Sequence, residues 1–197
     1  QIAGAYSSAS GSDYGVDARF RDNFTIKNLN IQGFGVGIRT SNGNDGVITD
    51  NELRLNNDDG IYSESDNALK IISNFINQNG RNGITINGGV GHIGSTGDSC
   101  TNYPTTFVDS LVVAENTITL NDSNGIEVFN LSVGCFYDND SNSNGYGFYL
   151  INNANVVFKA NEANSNTNSG FYISGSSQKP FVTEGSITTG FVFTDTN

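Results

Sequence analysis

The sequence predicts an all-β fold, a right-handed parallel β-helix of about seven coils, and three observations carry that prediction. A glycine followed by an apolar residue recurs at Gly15, Gly37, Gly60, Gly83, Gly125, Gly147 and Gly170, with spacings of 22, 23, 23, 42, 22 and 23 residues. The outlying 42 is one 23-residue period plus a 19-residue insertion, so the register survives the exception. In the same register one asparagine column reads Asn51, Asn74, Asn116, Asn139 and Asn161, and a second, five residues further on, reads Asn56, Asn79, Asn121, Asn144 and Asn166. Asn28 and Gly33 stand as their counterparts in the first coil, one residue out of step for Asn28. Third, apolar residues alternate over short segments, which is strand periodicity, and no helical pattern of useful length appears.

Each coil then resolves into three strands and three turns. The first strand follows the marker glycine: Ile61 and Ser63 face one way with Tyr62 and Glu64 the other, as do Ile126 and Val128 against Glu127 and Phe129. Leu69 to Ile71, Leu111 to Val113 and Val156 to Phe158 supply the second strand, and Leu53 to Leu55, Asn74 to Ile76 and Thr117 to Leu120 the third. Coils stacked about 4.8 Å apart place like residues on like. An inward asparagine at a corner would strand its amide, but in a column each amide pairs with the next. Glycine suits a corner that needs positive φ or close backbone approach.

The whole chain reads as a single β-helix domain, with a lead-in over residues 1–12, coils over 13–175, an inserted loop over 88–110 and a cap or assembly segment over 176–197. The tail ends in Phe191-Val192-Phe193-Thr194, an apolar segment expected to fold over the last coil or to pair with another subunit. Pairing in trans would stack coils end to end into a fibre, because head-to-tail contacts do not close. The chain opens at Gln1 without a signal-like segment, as expected of a processed chain or an excised domain.

The net charge of −11 and only nine Lys and Arg argue against nucleic acid as a partner. No apolar run is long enough to cross a membrane, so no membrane insertion is expected. Acidity and the absence of Met and Trp fit a secreted or cell-surface setting. The two cysteines read as a disulfide, Cys100 with Cys135, pinning the insertion to the coil beneath it; the alternative is two unrelated thiols. Four N-glycosylation sequons start at Asn23, Asn121, Asn130 and Asn139, of which Asn121 and Asn139 fall in the columns and should be hard to reach.

Inward residues fill a β-helix, so chemistry must come from outward positions. Two and four residues after each marker glycine stand Asp17 and Arg19, Arg39 and Ser41, Tyr62 and Glu64, Thr85 and Asn87, Glu127 and Phe129, Tyr149 and Ile151, and Tyr172 and Ser174. Such a ribbon could bind a glycan, tyrosine faces stacking on sugar rings while carboxylates and guanidinium groups hold hydroxyls. Arg39, Tyr62, Glu64, Glu127, Tyr149 and Tyr172 are the candidate substrate-binding residues. The alternative is a solvent face whose tyrosines stack for stability. Glu64 with Glu127, or Asp17 with Glu64, could form an acid and base pair for glycoside hydrolysis, at a separation of roughly 10 Å. No cofactor is required; calcium is conceivable at the acidic turns Asp58-Asp59 and Asp138-Asn139-Asp140. One histidine, His92, makes no zinc site, and the run Gly88 to Ile93 has Ile93 where a calcium-binding glycine-rich repeat needs an aspartate.

Tyr14-Gly15-Val16-Asp17-Ala18-Arg19 resembles the Tyr-Gly-Phe-Asp-Pro-His motif of mannuronan C5-epimerases, and Asn23 to Asn28 is similar to coils of those enzymes and of the wider group of carbohydrate-binding and sugar-hydrolase β-helices. The resemblance implies a catalytic tyrosine at Tyr14 and a catalytic aspartate at Asp17, with Arg19 at the histidine position, where it departs from the motif. Two functions follow as expectations. The first is an extracellular structural or adhesive subunit of a fibre, sheath or tailspike-like assembly that contacts polysaccharide. The second is a polysaccharide lyase or uronan C5-epimerase acting in the β-helix groove.

Overall fold

A computed structural model describes residues 13–89, 111–131, 133–152 and 155–175, together with the short strands Ile2–Ala3, Phe181–Val182, Gly185–Ile187 and Phe191–Thr194. The chain winds through three parallel sheets in turn. Sheet I, which carries the marker glycines, comprises Tyr14–Arg19, Val36–Ser41, Ile61–Glu64, Ile84–Asn87, Asn124–Phe129, Tyr146–Ile151, Ser169–Ser174 and Phe191–Thr194. Sheet II runs from Thr25–Lys27 through Val47–Thr49, Lys70–Ile72, Leu111–Ala114, Val133–Tyr137 and Asn155–Lys159 to Phe181–Val182. Sheet III runs from Ile2–Ala3 through Asn30–Gln32, Glu52–Arg54, Phe75–Asn77, Thr117–Thr119, Asp140–Asn142 and Asn161–Ala163 to Gly185–Ile187. Within each sheet every strand pairs with the strand one coil away, Ile84 with both Ile61 and Ile126, for example. Phe191–Thr194 pairs in parallel with Ser169–Ser174 of the same chain.

Alternation places one continuous apolar core inside the three sheets. Its filling changes along the axis. Ile38, Ile61, Ile84 and Ile126 line sheet I up to the coil where Phe148 and Phe171 replace them, stacked at 4.5 Å and 12°. Ile48, Ile71 and Val113 on sheet II likewise give way to Phe136 and Phe158, stacked at 5.0 Å and 18°. A second apolar cluster sits on the opposite, outward side of sheet II, where Val112, Ala114, Cys135, Tyr137 and Val157 are all buried. Cys135 in that cluster is disulfide-bonded. Its expected partner Cys100 lies outside the described residues, as do His92 and most of the insertion.

The asparagine columns are hydrogen-bonded ladders. The Asn51 side-chain amide donates to Asn74 Oδ1 at 3.0 Å, Asn74 to Asn116 at 3.1 Å, Asn116 to Asn139 at 2.9 Å and Asn139 to Asn161 at 2.8 Å. Each Oδ1 also accepts the backbone N–H of the preceding asparagine, and each Nδ2 also donates to a core backbone carbonyl, as Asn74 does to Ile48 at 3.0 Å. Each amide along this column is thereby held from both sides. The second column repeats the pattern from Asn56 through Asn79 and Asn121 to Asn144, each step at 3.0 Å.

The first coil corrects the reading of Asn28 and Gly33. The column positions belong to Leu29 and Phe34, whose backbone N–H groups donate to Asn51 Oδ1 and Asn56 Oδ1. Asn28 and Gly33 each precede a column position and are left-handed, with φ of 56° and 77°. Those corner positions are left-handed in later coils too, as at Asp50 and Ser73, and at Leu55 and Gln78. The marker glycines have another purpose. A Cβ on Gly37 would lie 2.5 Å from the Gly60 carbonyl oxygen and 2.9 Å from Leu53, so close approach of the next coil excludes any side chain.

Candidate functional site on the outer face of sheet I

Parallel pairing turns the ribbon of the sequence into two columns on one face. Asp17, Arg39, Tyr62, Thr85, Glu127, Tyr149 and Tyr172 are in register in the first. Arg19, Ser41, Glu64, Asn87, Phe129, Ile151 and Ser174 form the second. Ser41 is nevertheless buried, with its hydroxyl accepting from Asn42.

At the N-terminal end the charges pair with each other. Arg19 grips Asp17 through Nε at 2.9 Å and Nη2 at 2.6 Å. This hydrogen bonding holds the Asp17 carboxyl below the usual carboxylate range, and the Arg19 guanidinium is raised in turn. Arg39 reaches one coil forward to Glu64 at 2.7 Å. Its guanidinium lies 4.1 Å from the centre of the Tyr62 ring, and that of Arg19 lies 5.1 Å from the Tyr14 ring. Tyr14, Asp17 and Arg19 are thus brought together as the motif resemblance implies, with Arg19 occupied by Asp17.

Glu64 and Glu127 are not brought together. They stand in different columns, as do Asp17 and Glu64, and each glutamate has its own partner: Arg39 for Glu64, and the Asn82 side chain at 2.6 Å for Glu127.

The middle of the face holds a constellation that the alternation pattern missed. Arg81 contacts Asp58 at 3.2 Å, Asp59 at 2.9 Å and Glu127 at 3.8 Å, bridging three successive coils. Asp59 is fully buried and also accepts the Asn82 backbone N–H at 3.1 Å. Burial dominates its titration and pushes the carboxyl up to about 7 against the pull of Arg81. Asp59 and Asn82 each immediately precede a marker glycine, a position whose side chain shares the outer face. The Asn82 amide bonds Thr85 Oγ1 three residues on at 3.0 Å. Reading the two residues before Gly60 and Gly83 would have found Asp58, Asp59, Arg81 and Asn82.

At the C-terminal end the face is aromatic. Tyr149 and Tyr172 stack in parallel at 4.8 Å and 9°. Tyr146, which precedes its own marker glycine, tilts against both at 5.1 Å and 5.6 Å. The faces of Tyr149 and Tyr172 are turned on one another between successive coils. Desolvation, reinforced by Tyr172, Tyr146 and Glu127, raises the Tyr149 phenol and keeps it protonated.

Elsewhere, Asn139 of the turn considered for calcium is buried with its amide committed to the ladder, and Asn121 is buried too. Asn23 and Asn130 are exposed. Among the described residues no group of three or more His, Cys, Asp or Glu is placed to hold a metal ion, and no helix is long and apolar enough to cross a membrane.

Comparison with solved structures finds the same architecture. The chain superposes on the periplasmic alginate epimerase AlgG with a TM-score of 0.68 at 18% identity, covering 88% of this chain and 42% of that one. A double-mutant form of that epimerase gives 0.69 at 20% identity over the same shares. The chain therefore spans less than half the length of these neighbours, and at such identity the likeness concerns the fold. No curated protein matches the sequence. The model of the right-handed β-helix region matches residues 5–104 and 92–192. With three parallel sheets, two asparagine ladders and that match along nearly all its length, the chain belongs to the right-handed β-helix family.

Proposed function

We propose that this chain is an extracellular β-helix that contacts polysaccharide along the outer face of sheet I, as an adhesive or structural unit of a surface assembly. The observation that carries the reading is the column from Asp17 to Tyr172, which repeats hydrogen-bonding side chains once per coil on one straight face. Such a row suits an extended polymer of hydroxyl-bearing units. The fold likeness to an alginate epimerase supports polysaccharide as the partner class. The disulfide at Cys135 and the acidic surface support a secreted or surface location, with Cys100 as the partner cysteine and stacked coils as the means of assembly. Affinity electrophoresis through gels cast with polysaccharides tests the reading. Retardation of the intact chain that is lost in the Tyr149→Ala, Tyr172→Ala double variant supports it, and free migration in every gel overturns it.

A second reading, a uronan lyase or C5-epimerase using Tyr14, Asp17 and Arg19, draws on the contacts of Tyr14 and Asp17 with Arg19 and on the same fold likeness. Against it, the group at the histidine position is an arginine fixed on Asp17, which cannot relay a proton near neutral pH. Incubation with polymannuronate, followed for unsaturated product and for guluronate by NMR, is expected to show neither; the appearance of either product would establish the enzyme.

A further inference from the structure

We propose that the polymer held on sheet I is an uncharged glycan, recognised through its hydroxyl groups, and that polyuronates are rejected; this rests on the polysaccharide reading above. Among the described residues the face carries three cations, Arg19, Arg39 and Arg81, and all are already paired. Arg19 is held by Asp17, Arg39 by Glu64, and Arg81 by Asp58, Asp59 and Glu127. Each would have to surrender a carboxylate before it could take one from a sugar, and the released carboxylate would then face the ligand. Five carboxyl groups against three guanidinium groups leave the surface acidic even with Asp59 protonated. Asp17 in particular stays ionised through the physiological range, because Arg19 lowers it. A polyanion meets that surplus at the Arg81 cluster and finds the other two guanidinium groups already paired.

Hydroxyl groups find the opposite situation. Carboxylate oxygens accept from them, and the protonated Tyr149 phenol donates or accepts. With the rings of Tyr149 and Tyr172 stacked on each other, the two faces between them are closed to a sugar. Tyr62 is similarly covered, by the Arg39 guanidinium. Recognition is therefore by hydrogen bonding to hydroxyl groups, in which an uncharged, densely hydroxylated chain loses nothing to repulsion.

The experiment is affinity electrophoresis of the intact chain against polymannuronate and a panel of neutral polymers, including xylan, glucomannan and galactomannan, at low and high salt. The expected result is retardation by at least one neutral polymer with little change on adding salt, and none by polymannuronate at low salt, where attraction between charges would be strongest. The Glu64→Gln, Glu127→Gln variant, checked for an unchanged melting curve, removes one partner each from Arg39 and Arg81 and is expected to gain salt-sensitive retardation by polymannuronate. Salt-sensitive binding of polymannuronate by the unaltered chain, tighter than any neutral polymer, overturns the inference but leaves the polysaccharide reading standing. Binding of neither class overturns both.

Discussion

The inward columns and the outward columns of this β-helix share one period, yet the inward ones repeat a single residue while the outward ones hardly repeat at all. Asn51, Asn74, Asn116, Asn139 and Asn161 are nearly inaccessible, so each amide must find both acceptors and donors in the neighbouring coils, and only another asparagine supplies the matching pair. On the outer face of sheet I, long side chains reach partners one coil away or meet water. Arginine, tyrosine, threonine and glutamate therefore follow one another in the same column without penalty. Uniformity marks where burial enforces saturation, and variety marks where solvent leaves room for function.

The comparison breaks most visibly inside. Replacing Asn74 by Leu takes the acceptor from the Asn51 backbone N–H and from one Asn51 amide hydrogen, removes one of the two donors to Asn116 Oδ1, and is expected to cost about 2–4 kcal/mol in denaturant unfolding. An unchanged midpoint would remove the ladder from the account of stability. Asp59 is the instructive exception, a buried member of the outer face. Its folded pKa of about 7 exceeds the unfolded value of 3.8, so the folded state binds its proton more tightly. Its contribution is full below pH ~4 and is lost as pH rises through about 7. The loss should approach 2–4 kcal/mol, an order-of-magnitude figure, and Asp59→Asn should flatten that part of the pH profile. Identical profiles for both proteins would show that Arg81 keeps Asp59 ionised throughout.

Smaller effects sharpen the outer side. Tyr149→Ala opens the tyrosine stack and should cost about 1–2 kcal/mol by thermal melting, well short of the asparagine substitution. Arg39→Gln, which cuts a half-exposed pair with Glu64, should cost less than about 1 kcal/mol. A loss rivalling that of Asn74→Leu in either variant would erase the distinction between the two sets of columns.

How far the sequence foretold this follows from the same distinction. Coil length, strand order and both ladders were legible, because saturation forces a repeated letter at a repeated spacing. The first coil was misread because Asn28 and Gly33 belong to left-handed corner positions, which favour the same residue types as the columns. Leu29 and Phe34 carried no such label. On the outer face, column membership could be counted from the glycines, but partners could not. Arg81 finds Asp59 and Glu127 across three coils from a turn that two-residue alternation does not reach. The Tyr149 and Tyr172 rings could have faced solvent or each other, and only packing decided between them.

The ladders and coil-to-coil backbone bonds also bear on chemical ageing. Asparagine followed by glycine is the dipeptide most prone to deamidation, because the glycine nitrogen can attack the side-chain carbonyl and close a succinimide ring. The chain carries that dipeptide six times, starting at Asn42, Asn79, Asn82, Asn87, Asn124 and Asn144, and two of them, Asn79-Gly80 and Asn144-Gly145, lie inside the second ladder. There the Gly80 nitrogen is bound to the Asn56 carbonyl and the Gly145 nitrogen to the Ser123 carbonyl, while each side-chain oxygen accepts from the coil before. The attacking atom and its target are both held in place, so these asparagines should outlast their counterparts in an unfolded chain.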